Sequence, residues 1–560
     1  MIDVIPAPRH VAPADGEFRF IRGTRVEFAD PPLAPMIDRF CRDVARRTGI
    51  GCEPALASGD GFVMRTPSVR VELAREPYAD NVPQPIGLSP AADVAPDERY
   101  SITVGDARIL VRGARAVGIA RGLATLTQML GTRANGRDGA IVLPGCRILD
   151  GPRFAWRSLL LDVARTHFPV PQLKRIIDLL ALYKFNVLHL HLTDDQAWRI
   201  EAGRPPNGRG EDGTVYTDEE LSELVAHAAA RFVTLLPEAD TPGHATSLLV
   251  IRPELSTARN IREFQLAPGR IHHCTWLDPD LPATFAVIEE VLGRLADLFP
   301  GRYLHIGGDE PFGMPEYLYD AFVRRVIACA RSVGRRTIGF QETARAGVDG
   351  THAIQHWISA TTQDGGGSAL PHDLRAMVEA NIALAAGDID RALDRGIPIL
   401  VTPGNHTHFD IPYAEPSADP VQEPTRRRLA PHPAEARTVA ETFDWDPVAV
   451  LGARAREADL AGVGAAIWAE TIPDFDALTF QLLPRLAGTA DRAWGDGAAG
   501  AWEAHRRSLA THGRLWDQDG LTYFRSSSID WTSKVARAVD GVARVVISPR
   551  PPAGAKTRAP

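Results

Sequence analysis

Cysteine is scarce and scattered in this chain. The five thiols, Cys41, Cys52, Cys146, Cys274 and Cys329, form no Cys-x-x-Cys pair, so neither a zinc knuckle nor a disulfide framework is signalled. Cys41 and Cys52 stand near enough in sequence to pair, but buried free thiols suit the spacing better. No run rich in Lys or Arg occurs, and the net charge of −8 comes from interspersed acids and bases, which argues against a nucleic-acid partner. No apolar stretch reaches the roughly 20 residues that span a bilayer. The opening Met1-Ile2-Asp3-Val4-Ile5-Pro6 has neither the basic start nor the apolar core of an export signal. Solenoid repeats are absent too. What remains is a small-molecule substrate, no membrane and a cytoplasmic location, and a homodimer is compatible with the sequence.

The 560 residues are ample for a barrel and a companion domain. Over 1–150, short β-type runs such as Val69-Arg70-Val71-Glu72-Leu73 and Tyr100-Ser101-Ile102-Thr103-Val104 alternate with two helical patterns, Ala34–Arg47 and Ala116–Leu130. This reads as an α+β domain without chemistry of its own. From Phe154 the pattern changes to strand-like runs between longer helical segments, near 158–163, 186–192, 233–239, 302–309, 336–341, 351–357, 398–403 and 462–469. Eight such runs predict a (β/α)8 barrel over 151–500, closed by a helix at Phe480–Ala487. A helical extension is expected over 501–545, with an amphipathic helix from Trp502 to Leu515, and a disordered Pro-rich tail over 546–560. The Pro- and charge-rich loop Tyr413–Ala440 is a candidate pocket wall or lid.

In such a barrel, chemistry gathers at the C-terminal ends of the strands. Those ends are polar here: Arg165, Asp194-Asp195, Glu238-Ala239-Asp240-Thr241-Pro242-Gly243-His244, Gln341-Glu342, Gln355-His356-Trp357, His408-Phe409-Asp410 and Trp468-Ala469-Glu470. The sharpest case is Leu304-His305-Ile306-Gly307-Gly308-Asp309-Glu310, an apolar run delivering two adjacent carboxylates past two glycines. The alternative is a solvated acidic turn. Adjacent acids cannot easily straddle a glycosidic bond, so one of Asp309 and Glu310 reads as general acid, while the economical nucleophile is the substrate's own 2-acetamido oxygen, its N–H oriented by a second carboxylate. His244 and Asp194 supply polar surroundings for Glu310; a turn residue and a helix N-cap are their plainer roles, and Asp195 competes with Asp194. Arg165 offers a planar fork suited to paired hydroxyls, or a counter-charge for Asp162 or Glu470. Trp357 and Trp468 are candidate pocket walls or plain core. His272 and His273 beside Cys274, and His406 with His408, lack suitably spaced carboxylates and read as loop residues, so no metal and no cofactor are expected.

Leu304–Glu310 resembles the signature of family 20 glycoside hydrolases, the β-N-acetylhexosaminidases, and the resemblance runs with gaps from about Val4 to Trp531. It implies an exo-acting, retaining, cofactor-free enzyme in which Asp194 and His244 form a hydrogen-bonded chain with Glu310. It further implies that Arg165 contacts the 3- and 4-hydroxyls of the terminal sugar, and that Asp410 and Glu470 accept from the 4- and 6-hydroxyls. Two positions depart from the family pattern: Phe340 stands where Trp is usual and His408 where Tyr is usual, both in the acetamido pocket. Rival readings are a glycosidase with another 2-substituent preference and a catalytically silent sugar-binding protein.

Overall fold

A mixed seven-stranded sheet forms the first unit of the computed structural model, in the order β1 (His10–Phe20), β7 (Ile141–Asp150), β5 (Tyr100–Val104), β6 (Arg108–Gly113), β4 (Ser68–Leu73), β2 (Thr24–Phe28), β3 (Cys52–Leu56). Helices α1 (Ala34–Thr48) and α2 (Ala116–Gly131) bury their apolar stripes, Ile37, Phe40 and Val44 with Ile119, Leu123 and Leu126, in one core with the sheet. The structure describes residues 2–545 apart from 57–66, 74–81, 93, 137, 205–213, 268–269, 359–369, 430–435, 497–500, 533–535 and 540–541, so the expected tail over 546–560 lies outside the described residues.

Polar side chains weld this unit to the next. Gln128 of α2 donates to the carbonyls of Ile5 (2.6 Å) and Leu182 (2.7 Å), the last residue of α3 (Val170–Leu182). Glu98 accepts from Arg121 Nε (2.7 Å) and Arg157 Nη2 (2.6 Å), and Asp150 accepts from Lys184 Nζ (3.0 Å) and Trp494 Nε1 (2.9 Å).

The second unit is a closed parallel barrel of β8 (Arg157–Asp162), β9 (Val187–His191), β10 (Thr234–Glu238), β13 (Tyr303–His305), β14 (Arg336–Phe340), β15 (His352–His356), β16 (Ile399–Val401) and β17 (Leu460–Ile467). Each lies within one of the expected strand runs or overlaps it by all but a residue or two. The hairpin β11 (Ile261–Ala267) and β12 (Arg270–Thr275) projects between the third and fourth barrel strands. Among the described residues no helix is long and apolar enough to cross a membrane, and all five cysteines are free, Cys52 only half-buried.

Four expectations change. The fourth barrel strand, expected over 302–309, stops at His305 because Gly307 (φ 69°) and Gly308 (φ 100°) leave the extended region, so Asp309 and Glu310 hang from a turn. The helix expected over Phe480–Ala487 is split into Phe475–Leu482 and Arg485–Trp494, since Pro484 cannot supply the N–H that would continue the first. Helix Ala501–Gln518 accounts for only part of the region expected to be helical; Ala536–Val539 (β18) and Val542–Val545 (β19) pair antiparallel. The described part of the loop from Tyr413 is tied down rather than free to act as a lid. Tyr413 stacks on Phe524 with centroids 3.9 Å apart, Gln422 Nε2 donates to the Tyr523 carbonyl (2.8 Å) and Ser526 Oγ to Glu415 (2.8 Å).

Candidate active site

The eight strands bring the residues expected to act on or hold a sugar to one rim, each at or after the C-terminal end of its strand. Gly307 and Gly308 are needed there for space. A Cβ on Gly307 would lie 1.6 Å from Asp240 Oδ1, and one on Gly308 would lie 2.4 Å from Thr343 Cγ2. The chain then passes through Glu310 at φ 45°, and His244 opposite sits at φ 50°, left-handed conformations that non-glycine residues adopt at a cost of about 1–3 kcal/mol and that cluster at functional sites.

His244 ties the acids together. Its Nδ1 lies 3.5 Å from Asp194 and 3.4 Å from Asp195, and its Nε2 lies 3.8 Å from Asp309 and 3.7 Å from Glu310. Thr246 and Thr275 hydroxyls occupy the other oxygen of Asp195, so both acids of the Asp194-Asp195 pair hold the ring. Burial opposes a charge on His244, yet Asp194 and Asp195 outweigh it and raise its pKa well above the ordinary value. Burial also opposes ionisation of Asp194, but Arg165 and His244 hold that carboxyl well below the usual range. For Glu310 burial wins and pushes its pKa up to about 7, while a third of the side chain stays open to the cleft. A carboxyl protonated near neutrality beside one that is firmly ionised is the division of labour an acid catalyst needs.

Arg165 takes the counter-charge role foreseen for it. Its guanidinium meets Asp194 (2.8 Å), Asp162 (3.2 Å) and Glu470 (3.4 Å), which fixes the fork at the pocket floor beside Trp468. Glu470 is exposed and Asp410 half-buried, with the Trp468 amide 3.5 Å from Asp410.

An aromatic cage adjoins. Phe340 and Trp468 have centroids 6.1 Å apart, His408 and Trp468 6.3 Å, and Trp357 stacks parallel to His408 at 6.4 Å. Trp357 Nε1 donates to Glu342 (3.1 Å), and Trp468 Nε1 donates to His408 Nδ1 (3.3 Å). That second bond makes His408 Nδ1 an acceptor, so the ring proton sits on Nε2. Burial depresses the His408 pKa to about 4, so this ring is neutral at the pH where an exposed histidine would half-protonate.

Beneath the rim lies a polar layer whose site role sequence reasoning missed. Glu238 touches His189 (2.7 Å), His191 (3.1 Å) and His305 (3.2 Å), and His191 Nε2 also reaches Asp194 (2.8 Å). Asp240 completes it. Part of the signal was present as alternation, since His189 and His191 are spaced by two on β9 and therefore face the same side of the strand. Among the described residues, groups of three His, Asp or Glu side chains close enough to share an ion occur in this layer and where it meets Asp194 and His244, rather than at His272-His273 or His406 and His408.

A model of glycosyl hydrolase family 20, catalytic domain, matches residues 154–496, and one of glycosyl hydrolase family 20, domain 2, matches residues 1–151. A beta-N-acetylhexosaminidase of Cellulomonas fimi is 32% identical over 450 residues, 78% of this chain and 82% of the relative. A beta-hexosaminidase of Akkermansia muciniphila is 29% identical over 422 residues, 70% of this chain and 78% of its own. The solved GH20 beta-N-acetylhexosaminidase of Streptomyces coelicolor A3(2) is similar with a TM-score of 0.75 at 30% identity, covering 95% of this chain and 99% of that one. A Streptomyces plicatus N-acetyl-beta-hexosaminidase in complex with Thio-NAglucal has a TM-score of 0.76 at 30% identity, over 95% and 98%.

Proposed function

The chain belongs to glycosyl hydrolase family 20 and is a glycoside hydrolase of the β-N-acetylhexosaminidase type, and on that premise we propose that it removes single N-acetylhexosamine residues from non-reducing ends with retention, using the substrate's acetamide as nucleophile. The observation that carries the mechanism is that one imidazole nitrogen, His244 Nε2, stands within 4 Å of both Asp309 and Glu310. Acids gathered around one nitrogen do not flank a sugar ring from opposite faces, as a pair acting directly on the anomeric carbon must.

Glu310 gives its proton to the glycosidic oxygen as the C1–O bond breaks, and the acetamide oxygen bonds to C1 from the other face. Asp309, accepting from the acetamide N–H, stabilises the positive charge of the oxazolinium ion. Glu310, now a carboxylate, takes a proton from the water that attacks C1 and opens the ring. The second inversion restores the starting configuration. Arg165, Asp410 and Glu470 hold the hydroxyls of one terminal sugar, and Phe340, Trp357, His408 and Trp468 enclose the acetamide.

A panel of aryl N-acetylglucosaminide, N-acetylgalactosaminide and plain glucoside tests the reading, together with a thiazoline mimic of the cyclic ion. Hydrolysis confined to the acetamido sugars and tight thiazoline binding, weakened in Asp309→Asn, are expected. A sugar ester trapped on any carboxylate would overturn the mechanism, and equal turnover of the glucoside would favour an altered 2-substituent preference arising from Phe340 and His408.

A further inference from the structure

We propose that Asp240 is a positioning residue that donates a carboxyl proton to Asp309, and that the Gly307-Gly308 turn is shaped around it. The inference rests on the reading of Asp309 as the group that orients the acetamide.

Asp240 follows β10 and is 2% exposed. One oxygen, Oδ1, accepts from the Gly308 amide (3.3 Å) and fills the place where a side chain on Gly307 would have to go. The backbone that presents Asp309 is therefore moulded on the Asp240 carboxyl. The other oxygen, Oδ2, is buried without a hydrogen-bond partner, and so is Oδ1 of Asp309. Two buried carboxylate oxygens left unpaired on neighbouring acids are costly if both acids are ionised, because neither has a proton to offer. One proton between them satisfies both.

The surroundings decide which acid holds it. Asp240 faces Glu238, Asp194, Asp309, His191 and His244. Both imidazoles are already engaged, His191 between Asp194 and Glu238, and His244 among the rim acids. Asp240 is the deeper acid, and burial together with the charge of Asp309 lifts its pKa well above the carboxylate range. Asp240 is then the neutral donor and Asp309 the anion that faces the sugar. A neutral donor at this place steers Asp309 without adding a second negative charge to the pocket.

The test compares Asp240→Asn, which keeps an N–H donor and a carbonyl acceptor, with Asp240→Ala, which keeps neither. On an aryl N-acetylglucosaminide Asp240→Asn should lose no more than about fivefold in kcat, whereas Asp240→Ala should lose about 100-fold or more with KM within about threefold, the signature of a defect expressed in the transition state. An Asn variant as impaired as the Ala variant would mean the anion itself is needed, and an Ala variant as active as wild type would mean Asp240 positions nothing; either overturns the proposal. Difference infrared spectra of wild type against Asp240→Asn supply a measurement that does not depend on the Ala variant folding. A protonated-carboxyl C=O band at neutral pH, lost in the Asn variant, is expected, and its absence from wild type overturns the assignment. If wild type cleaves no N-acetylhexosaminide, the functional reading fails while the infrared band still reports on Asp240.

Discussion

At the lower rim of the barrel Glu98 has Arg121 and Arg157 to itself at 2.7 and 2.6 Å, whereas at the upper rim His244 is shared among Asp194, Asp195, Asp309 and Glu310 at 3.4–3.8 Å. Both clusters are buried and both mix charges. The lower one is closed, with Arg157 spending its remaining donors on the carbonyls of Lys184 (2.8 Å) and Phe154 (2.7 Å), and its geometry fixes the seam between sheet domain and barrel. The upper one is left open, with unpaired oxygens on Asp309 and Asp240 and acids whose pKa values are driven apart. A satisfied cluster supplies rigidity; an unsatisfied one holds protons ready to move.

The contrast is broken most sharply at Glu310. Glu310→Gln should lower kcat by about 10²–10⁴-fold on a substrate with a poor leaving group, and much less on an activated aryl glycoside, with the melting temperature nearly unchanged. Equal losses on both substrates would remove Glu310 from the acid role. Cutting the lower cluster should do the reverse. Glu98→Ala leaves two guanidiniums buried without their counter-charge and should cost about 3–5 kcal/mol in denaturant unfolding, while the folded fraction keeps its kcat; a drop in kcat at constant folded fraction would mean that the seam feeds the site.

Titration sharpens the comparison further. The acid must be protonated, so turnover of poor substrates should fall as pH rises through about 7, the value to which burial lifts Glu310. Asp309 must be ionised, and burial raises its pKa above the usual carboxylate value, so activity should also fall on the acid side, below the pKa of Asp309. His408, lowered to about 4 by burial, should add no limb near pH 7. A pH profile of kcat/KM that is flat through pH 7 in wild type would contradict the assignment. Removing His408 itself, as His408→Ala, takes away the acceptor of the Trp468 indole N–H and should cost about 1–2 kcal/mol in kcat/KM for an N-acetylglucosaminide, with His408→Tyr recovering part of it. The smallest effect belongs to neither cluster. Arg454, exposed and bridging Asp390 (2.6 Å) and Asp394 (2.5 Å), should tolerate Arg454→Ala with an unchanged melting temperature, which calibrates what an ion pair in water is worth here.

Much of this was legible in sequence because barrels obey two periods: strand runs recur between helical ones, and chemistry sits past the strand ends. All eight strands and the rim positions of Arg165, Asp194, His244, Asp309, Glu310, Phe340, Trp357, His408, Asp410, Trp468 and Glu470 follow from that rule. What escaped depends on contacts across the barrel. His189, His191, Glu238, Asp240 and His305 read as polar residues of strands, and only closure of the barrel brings them into one layer. Likewise the tautomer of His408 depends on an indole N–H sixty residues away, and the end of the fourth strand on a carboxyl from the third. Pro484 was visible in the sequence, yet the apolar periodicity around it suggested an unbroken helix.

The stacking of Tyr413 on Phe524 has a consequence for the order in which the molecule is made. Asp410 lies just upstream of Tyr413, and the loop that follows is pinned by Tyr523, Arg525 and Ser526. During synthesis the first seven strands of the barrel leave the ribosome well before those residues do. The wall bearing Asp410 is therefore finished last, after β17 has closed the cylinder, and a nascent chain stalled short of Phe524 would carry Asp309 and Glu310 on a cup still missing one fixed side.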